Sequence, residues 1–179
     1  VVGAIIRITT NNIYCELIVY IASLVSTITI PYVNWTGLDI ITFTAIDTGS
    51  LFDSDVASFS VTGVNDGSVV FAITEESLVE GSTFATITLD DYVVDAEDPD
   101  DAISWTSTND SDCDLTVSIA SRVATITIPN ENWTGVETIT FTATDTGSLF
   151  DSDDATFTVT GVNDAPVVSD IPDETIVEG

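Results

Sequence analysis

Residues 123–164 read VATITIPNENWTGVETITFTATDTGSLFDSDDATFTVTGVND, and residues 25–66 read VSTITIPYVNWTGLDIITFTAIDTGSLFDSDVASFSVTGVND. Trp35 falls on Trp133, Phe43 on Phe141 and Asp66 on Asp164, a constant offset of 98 positions. Self-similarity at a fixed period marks a modular array. A period near 100 is too long for one turn of a solenoid and suits a β-sandwich module.

The offset holds on both sides of the quoted stretch. Upstream, Ala4 falls on Ala102 and Cys15 on Cys113. Downstream, VVSDIPDETIVEG at the end of the chain matches SVVFAITEESLVEG, so Gly179 falls on Gly81. Two whole periods would take 196 residues; the 179 present leave 17 missing, the counterparts of Ser82 to Asp98. The expected organisation is an incomplete module over 1–66, a complete one over 67–164, and the first strand of a following module over 165–179. Such a chain reads as a slice of a longer array, or as a subunit that borrows its missing part from a neighbour.

Within the complete module, apolar residues alternate with period two and Val, Ile, Thr and Phe dominate, which marks strands. Strands are expected near 68–74, 83–90, 102–108, 114–120, 123–128, 137–145 and 155–162, with turns at Glu80-Gly81, Asp98-Pro99, 109–112, 129–135 and 146–148. No stretch has a 3.6-residue period. Seven short antiparallel strands predict an all-β fold, a Greek-key, immunoglobulin-like sandwich repeated in tandem. The in-pointing set comprises Phe84, Ile87, Leu89, Ile103, Trp105, Leu115, Val117, Ile119, Ile126, Ile128, Trp133, Ile139, Phe141, Phe157 and Val159. The incomplete module keeps only the last five strands, near 4–10, 15–21, 25–30, 39–47 and 57–63. Its open edges need cover. Eight polar positions of the complete copy become Ile6, Ile8, Ile18, Tyr20, Leu24, Ile40, Ile46 and Val56 in the first, which predicts a contact face toward a neighbouring module or subunit.

Thirty acidic residues face two basic ones, for a net charge of −28, and there is no His, Lys or Met. Such a charge disfavours nucleic acid and anionic membrane surfaces. Bound divalent cations or high external salt would relieve the self-repulsion. With 44% apolar residues the chain can still build a core. Residues 13–33 are apolar enough to mimic a membrane span, but their repeat partner SDCDLTVSIASRVATITIPNE is plainly two alternating strands, so no membrane insertion is expected. Cys15 and Cys113 occupy equivalent positions, one per module. They read either as small buried or turn residues or as a bridge between modules or subunits in an oxidising compartment.

The acids gather where a sandwich has its poles. Asp95, Glu97, Asp98, Asp100 and Asp101 form one group, Asp145, Asp151, Asp153 and Asp154 a second, and Asn65-Asp66 with Asn163-Asp164 a third. Calcium takes six to eight hard oxygen ligands, and acids two positions apart on a loop can aim at one ion.

The stretch ATDTGSLFDSDDATFTVTGVNDAPVV resembles the end of a cadherin repeat, with its A-x-D-x-G element, closing strand and V-N-D linker. ITEESLVEG resembles the cadherin opening strand with Glu76 ahead of Gly81, and VVDAEDPDDAISW resembles the D-x-D loop with Asp95 and Glu97. The match is closest to the cadherin-like repeats strung in tandem in large bacterial and archaeal surface proteins, and it covers essentially the whole chain. The resemblance implies calcium at module junctions and an adhesive or structural role at the cell surface. Carried over, Glu76, Asp95, Glu97, Asn65 and Asp66 would serve the junction between the two modules, joined by Asp47, Asp53 and Asp55. Asp145, Asn163, Asp164 and Glu174 would begin the next junction. Two departures stand out. There is no counterpart of the cadherin L-D-R-E element, and Val1-Val2-Gly3 replaces the acidic Pro99-Asp100-Asp101.

Asn34, Asn132 and Asn109 each open an Asn-x-Ser/Thr triplet that can accept a glycan; the competing reading is a turn needing Asn and Gly for shape and Trp as a plug. Without His, Lys or clustered Cys, and with its carboxylates at convex ends, the chain is not expected to be an enzyme. The leading expectation is an extracellular array, stiffened by calcium, whose partners are neighbouring identical modules and possible glycans. The alternatives are a carbohydrate- or protein-recognition module, and a homopolymer in which strand 165–174 of one subunit completes the open module of the next.

Overall fold

The computed structural model describes residues 5–10, 17–22, 25–30, 32–109 and 114–179. They fall into two compact units, residues 1–65 and 66–179. Cys15 and Cys113 lie outside the described residues.

The larger unit owes its shape to period-two alternation. Its long strands are β13 (Gly135–Thr144) and β14 (Phe150–Thr160), which pair antiparallel with Thr144 opposite Phe150 and Gly135 opposite Val159. One face of β13 buries Glu137, Ile139, Phe141 and Ala143; one face of β14 buries Ala155, Phe157 and Val159. β10 (Ser104–Asn109) flanks β13, and β7 (Glu76–Val79) flanks β14. The opposite layer is β11 (Thr116–Ala120), β12 (Val123–Thr127) and the two-residue β8 (Ile87–Thr88). A short ribbon pairs β6 (Val69–Val70) with β9 (Val93–Val94). Between the layers lies one core that includes Phe84, Leu89, Trp105, Leu115, Ile126, Phe141 and Phe157. Phe84 meets Phe157 edge to face at 5.2 Å, a favoured aromatic geometry.

Three sequence expectations need correction. The strand expected over 83–90 is irregular but for Ile87–Thr88, because Phe84 and Leu89 enter the core from loop and from a 3-10 turn over Leu89–Tyr92. The expected strand 68–74 is two residues long, and a further strand, β7, lies between it and the expected Glu80-Gly81 turn, where none was expected. β7 runs parallel to β14, with Glu76 opposite Phe157 and Val79 opposite Thr160, so the strands are not all antiparallel. Of the expected core, Val117, Ile119, Ile128 and Trp133 are only partly buried and pack against it. Trp133 lies over Gly135, where a Cβ would stand 2.8 Å from the indole, and its Nε1–H donates to Asp114.

A buried carboxylate ties the two layers together. Glu137 is 1% exposed and accepts the Leu115 N–H and the Asn109 amide at 2.6 Å each. Burying such a group is tolerable only with its hydrogen bonds made.

The smaller unit repeats part of this plan. β4 (Gly37–Ile46) pairs with β1 (Ile5–Thr10) and β5 (Phe52–Val61), and β2 (Ile18–Ala22) pairs with β3 (Val25–Thr29). The apolar run over 13–33 therefore contains a strand pair, and among the described residues no helix is long and apolar enough to cross a membrane. Asp39 takes the place of Glu137, 2% exposed, and accepts the Leu17 N–H at 3.0 Å. Of the eight positions expected to form an apolar face, Ile18 and Val56 are more than half exposed, Ile40 is exposed and Ile46 half-buried. Side chains of Ile6, Ile8 and Tyr20, and all of Leu24, lie outside the described residues.

Candidate functional site

Strand direction sorts the acids of the larger unit onto two poles. β13 runs toward Asp145, and β14 returns from Phe150 to Thr160. The pole at which the chain enters holds Asp66, Asp95, Glu97, Asp98 and Asp145; the opposite pole holds Glu80, Glu131 and Asp164. β14 separates them by roughly 34 Å at about 3.4 Å per residue.

At the entering pole the loop after β9 is built around Asp95. Its Oδ1 accepts the Glu97 and Asp98 N–H groups, each at 2.9 Å, and its Oδ2 accepts the hydroxyl of buried Ser68 at 2.9 Å. Chiefly the Asp98 N–H holds the Asp95 carboxyl below its ordinary value of 3.8; partial burial opposes this, and the Glu97 N–H, Ser68 hydroxyl and Ala96 N–H add to the lowering. Glu97 accepts the Asp66 N–H at 3.0 Å. Asp98 reaches across to the turn after β13, accepting the Thr146 N–H at 2.8 Å and its hydroxyl at 3.0 Å. Asp145 closes that turn by accepting the Leu149 N–H at 2.8 Å. Asp47 does the same in the smaller unit, accepting the Gly49 and Leu51 N–H groups.

The acids expected to serve one junction do not all come together. Asp66, Asp95 and Glu97 do. Glu76 does not: it sits on β7 opposite Phe157, roughly 23 Å along β14 from the entering pole, and accepts the Ala85 N–H. Asp47 lies in the turn before β5 and Asp53 and Asp55 near the start of that strand, and roughly 27 Å of strand separate Asp53 from Val61, after which the chain goes on to Asn65 and Asp66. Asp145 likewise belongs with Asp95, at the opposite end of β14 from Asn163 and Asp164. Glu174 lies with the rest of 161–179, outside any strand and exposed.

A second correction concerns the acids after the Thr-Gly-Ser turns. They were expected in loops, but Asp151 and Asp153 lie on β14 with the parity of Ala155 and Phe157. Each accepts a backbone amide from the segment around β6: Val70 N–H to Asp151 at 2.8 Å and Ile73 N–H to Asp153 at 2.7 Å. Ser68, Thr146 and Glu80, which binds the Val162 N–H at 2.8 Å, were missed as pole residues. Ser68 and Thr146 carry no charge to flag them, and Glu80 was read as part of a turn.

The donor set of the entering pole is all hard oxygen, which suits calcium in chemistry. Among the described residues no three acidic side chains converge so as to hold a metal ion. Any ion bound there therefore draws part of its shell from water or backbone carbonyls.

Of the glycan-acceptor candidates, Asn34 and Asn132 are exposed in their turns. The Asn109 amide nitrogen is committed to Glu137 and to the Leu115 carbonyl at 2.7 Å.

No family model matches the chain, and no curated protein sequence matches it. Solved structures do. Extracellular cadherin domains 1–4 of protocadherin gamma B7 superpose with a TM-score of 0.53 at 16% identity, covering 89% of this chain and 42% of that one. Cadherin domains 1–5 of protocadherin gamma B2 give 0.53 at 18%, covering 89% and 33%. Domains EC1-2 of human mucin-like protocadherin give 0.50 at 15%, covering 88% and 85%. The fold is cadherin-like. The chain spans less than half the length of the two gamma-protocadherin structures, and at these identities the likeness is one of fold.

Proposed function

We propose that the chain is a length of an extracellular structural or adhesive array, built from cadherin-like sandwiches that meet at acidic poles. The observation that carries this reading is the arrangement at the entering pole. Asp66, Asp95, Glu97, Asp98 and Asp145 come from three separate loops and lie at one pole of the larger unit, the pole at which the chain enters it. A surface of that sign needs a counterion wherever it approaches another acidic surface, and its Asp66 and Asp145 recur at the 98-residue offset as Asp164 and Asp47.

Calcium is the proposed counterion. It would draw one or two carboxylates from among Asp66, Asp95, Glu97 and Asp145 and the rest of its shell from water or backbone carbonyls, and it would lower the repulsion between successive units. The affinity expected of extracellular modules is on the order of 10⁻⁴–10⁻³ M, so millimolar external calcium would be required. An identical neighbour is the proposed partner, in keeping with the cis-dimer formed by domains EC3-6 of protocadherin gamma B7, which share this fold.

The test is a calcium titration of the 179-residue chain, followed by melting temperature and small-angle scattering. Calcium at millimolar level is expected to raise the melting temperature and narrow the size distribution, and chelator to reverse both. An equal response to sodium at matched ionic strength would mean charge screening alone and would remove calcium from the proposal.

A further inference from the structure

Asn-x-Ser/Thr triplets open at Asn34, Asn109 and Asn132, and the fold uses the three asparagines differently. Asn109 spends its side chain on the core. Its amide nitrogen donates to the Glu137 carboxylate at 2.6 Å and to the Leu115 carbonyl at 2.7 Å. A sugar bonded to that nitrogen displaces one of the two hydrogens and leaves an acceptor in the interior unpaired. Asn34 is set by its backbone: its φ is 66°, the left-handed region that Asn tolerates better than most residues.

Asn132 has neither employment. It does not take a positive φ. Its turn is shaped by the residue two before it, since the Asn130 side-chain oxygen accepts the Asn132 N–H at 3.1 Å and the Asn130 carbonyl accepts the Trp133 N–H at 2.9 Å. The smaller unit has Tyr32 in place of Asn130, with no side-chain amide oxygen to offer, and there residue 34 carries the positive φ. Among the described residues no hydrogen bond engages the Asn132 side-chain amide. The turn reading therefore accounts for Asn130 and Asn34 but leaves Asn132 unexplained.

The triplet is also presented for reaction. Asn132 and Thr134 are exposed, and Trp133 between them is anchored over Gly135 and to Asp114. Beside Asn132 lies an open hollow of about 220 Å³, lined by Glu80, Gly81, Glu131, Val162 and Asp164. A Cβ built on Gly81 would meet no atom within 4 Å, so the hollow has room for a first sugar.

We propose that Asn132 is the acceptor of an N-linked glycan, with Thr134 supplying the hydroxyl by which a glycosyltransferase reads the triplet. This rests on the extracellular part of the reading above and not on calcium. An amide nitrogen is a weak nucleophile, because its lone pair is delocalised into the carbonyl. The donor is accordingly a sugar activated as a pyrophosphate ester. A bond forms between Asn132 Nδ2 and the anomeric carbon. The bond from that carbon to the pyrophosphate oxygen breaks, the pyrophosphate leaves with the electron pair, and one Nδ2 proton passes to a base of the transferase. The product places an uncharged, hydrated mass beside Glu131 and Asp164.

The test secretes the 179-residue chain, behind an appended export signal, from a host that transfers pyrophosphate-linked oligosaccharides to Asn-x-Thr. Export is imposed, so the result stands whether or not the calcium and array readings do. Amidase release in heavy-oxygen water tags each formerly glycosylated position for peptide mass mapping. Asn132 is expected to be occupied roughly tenfold more often than Asn109. Thr134→Ala should abolish the modification with Asn132 still in place, and Thr134→Ser should restore part of it. Asn132→Gln, purified without glycan, should melt with the unmodified wild type, whereas Asn109→Gln should melt lower. An unmodified Asn132 beside a fully modified control glycoprotein from the same host would overturn the proposal. So would equal occupancy at Asn109, modification that survives Thr134→Ala, or an Asn132→Gln variant as destabilised as Asn109→Gln.

Discussion

The two units carry nearly the same inward-pointing residues on the same strands, yet among the described residues only the larger has a closed core. Ile41 and Ile139 are both fully buried. One strand over, the copies diverge: Phe157 is fully buried against Phe84 at 5.2 Å, while Phe59 is half-buried and meets Phe43 at 6.5 Å. The difference lies in the segments packed on β14, since the inward-pointing residues of β4 and β5 match those of β13 and β14 in kind. The central strand of a sandwich half can thus be specified by its own alternation, whereas its flank depends on chain from farther away.

The largest effect should come from probing that flank. Phe157→Ala removes a ring enclosed on all sides and is expected to cost the larger unit about 4 kcal/mol. Phe59→Ala removes a half-open ring and should cost the smaller unit about 1 kcal/mol. Native-state hydrogen exchange of amides in β13 and β4 reads each unit separately. Equal losses would mean that β5 is as well covered as β14 in solution.

Next in size is the feature the two units share. Glu137→Ala leaves the Leu115 N–H and the Asn109 amide without their carboxylate acceptor, for an expected loss of about 3 kcal/mol. Glu137→Gln keeps one acceptor oxygen and should lose about half as much. Asp39→Ala is expected to lower protection in the smaller unit in the same sense, through the Leu17 N–H. An unchanged exchange rate at Leu115 in Glu137→Ala would show that the buried carboxylate does not tie the layers.

These two residues also show how far the sequence could be read. β10 to β14 follow from alternation, because each has one face on the core and one on solvent. Glu137 shares the parity of Ile139 and Phe141, and Asp39 that of Ile41 and Phe43, so an acid on an inward-pointing position was the visible signal of a buried anchor. Asp151 and Asp153 carry the same signal on β14, but a run of acids after a turn looks like loop. The ribbon β6–β9 was not legible, since two-residue strands have no period. The poles were not legible either: assigning Asp145 to Asp95 rather than to Asp164 requires knowing that β13 and β14 run antiparallel over their whole length. The acids near the junction were recognisable as a type, and their grouping was a matter of topology.

A smaller effect tests the one ion pair described between the larger unit's strands and loops. Arg122 bonds Asp90 at 2.8 Å with both side chains about a third exposed. Arg122→Ala should cost about 0.5 kcal/mol at low salt and less at high salt, because a partly solvated pair is screened. The smaller unit has Leu24 at this position and no counterpart of Asp90 in this chain, so its exchange rates should not respond. A loss above 2 kcal/mol would point to the turn rather than the pair, since Ser121 and Arg122 both have positive φ, at 49° and 59°.

The last effect is confined to one carboxyl of the larger unit. Asp95 is held below its ordinary value of 3.8 because its charged form accepts the Asp98 N–H and further donors. A carboxyl with a lowered folded value binds fewer protons folded than unfolded across the interval between the two values. Its contribution to stability is therefore present in full above the unfolded value and is lost as pH falls through the folded one. The global acid limb is a poor readout, since the chain carries 30 acidic residues. The carboxyl-carbon chemical shift of Asp95 reads the group directly, and its midpoint should fall below 3.8. Thr146 supplies the second readout: its amide is held by Asp98, whose own N–H binds Asp95, so the Thr146 resonance should move with the Asp95 midpoint. Asp95→Asn should abolish that shared midpoint while leaving β13 and β14 exchange unchanged. An Asp95 midpoint at or above 3.8 would mean that its loop is not ordered in solution, and with it the entering pole on which the junction rests.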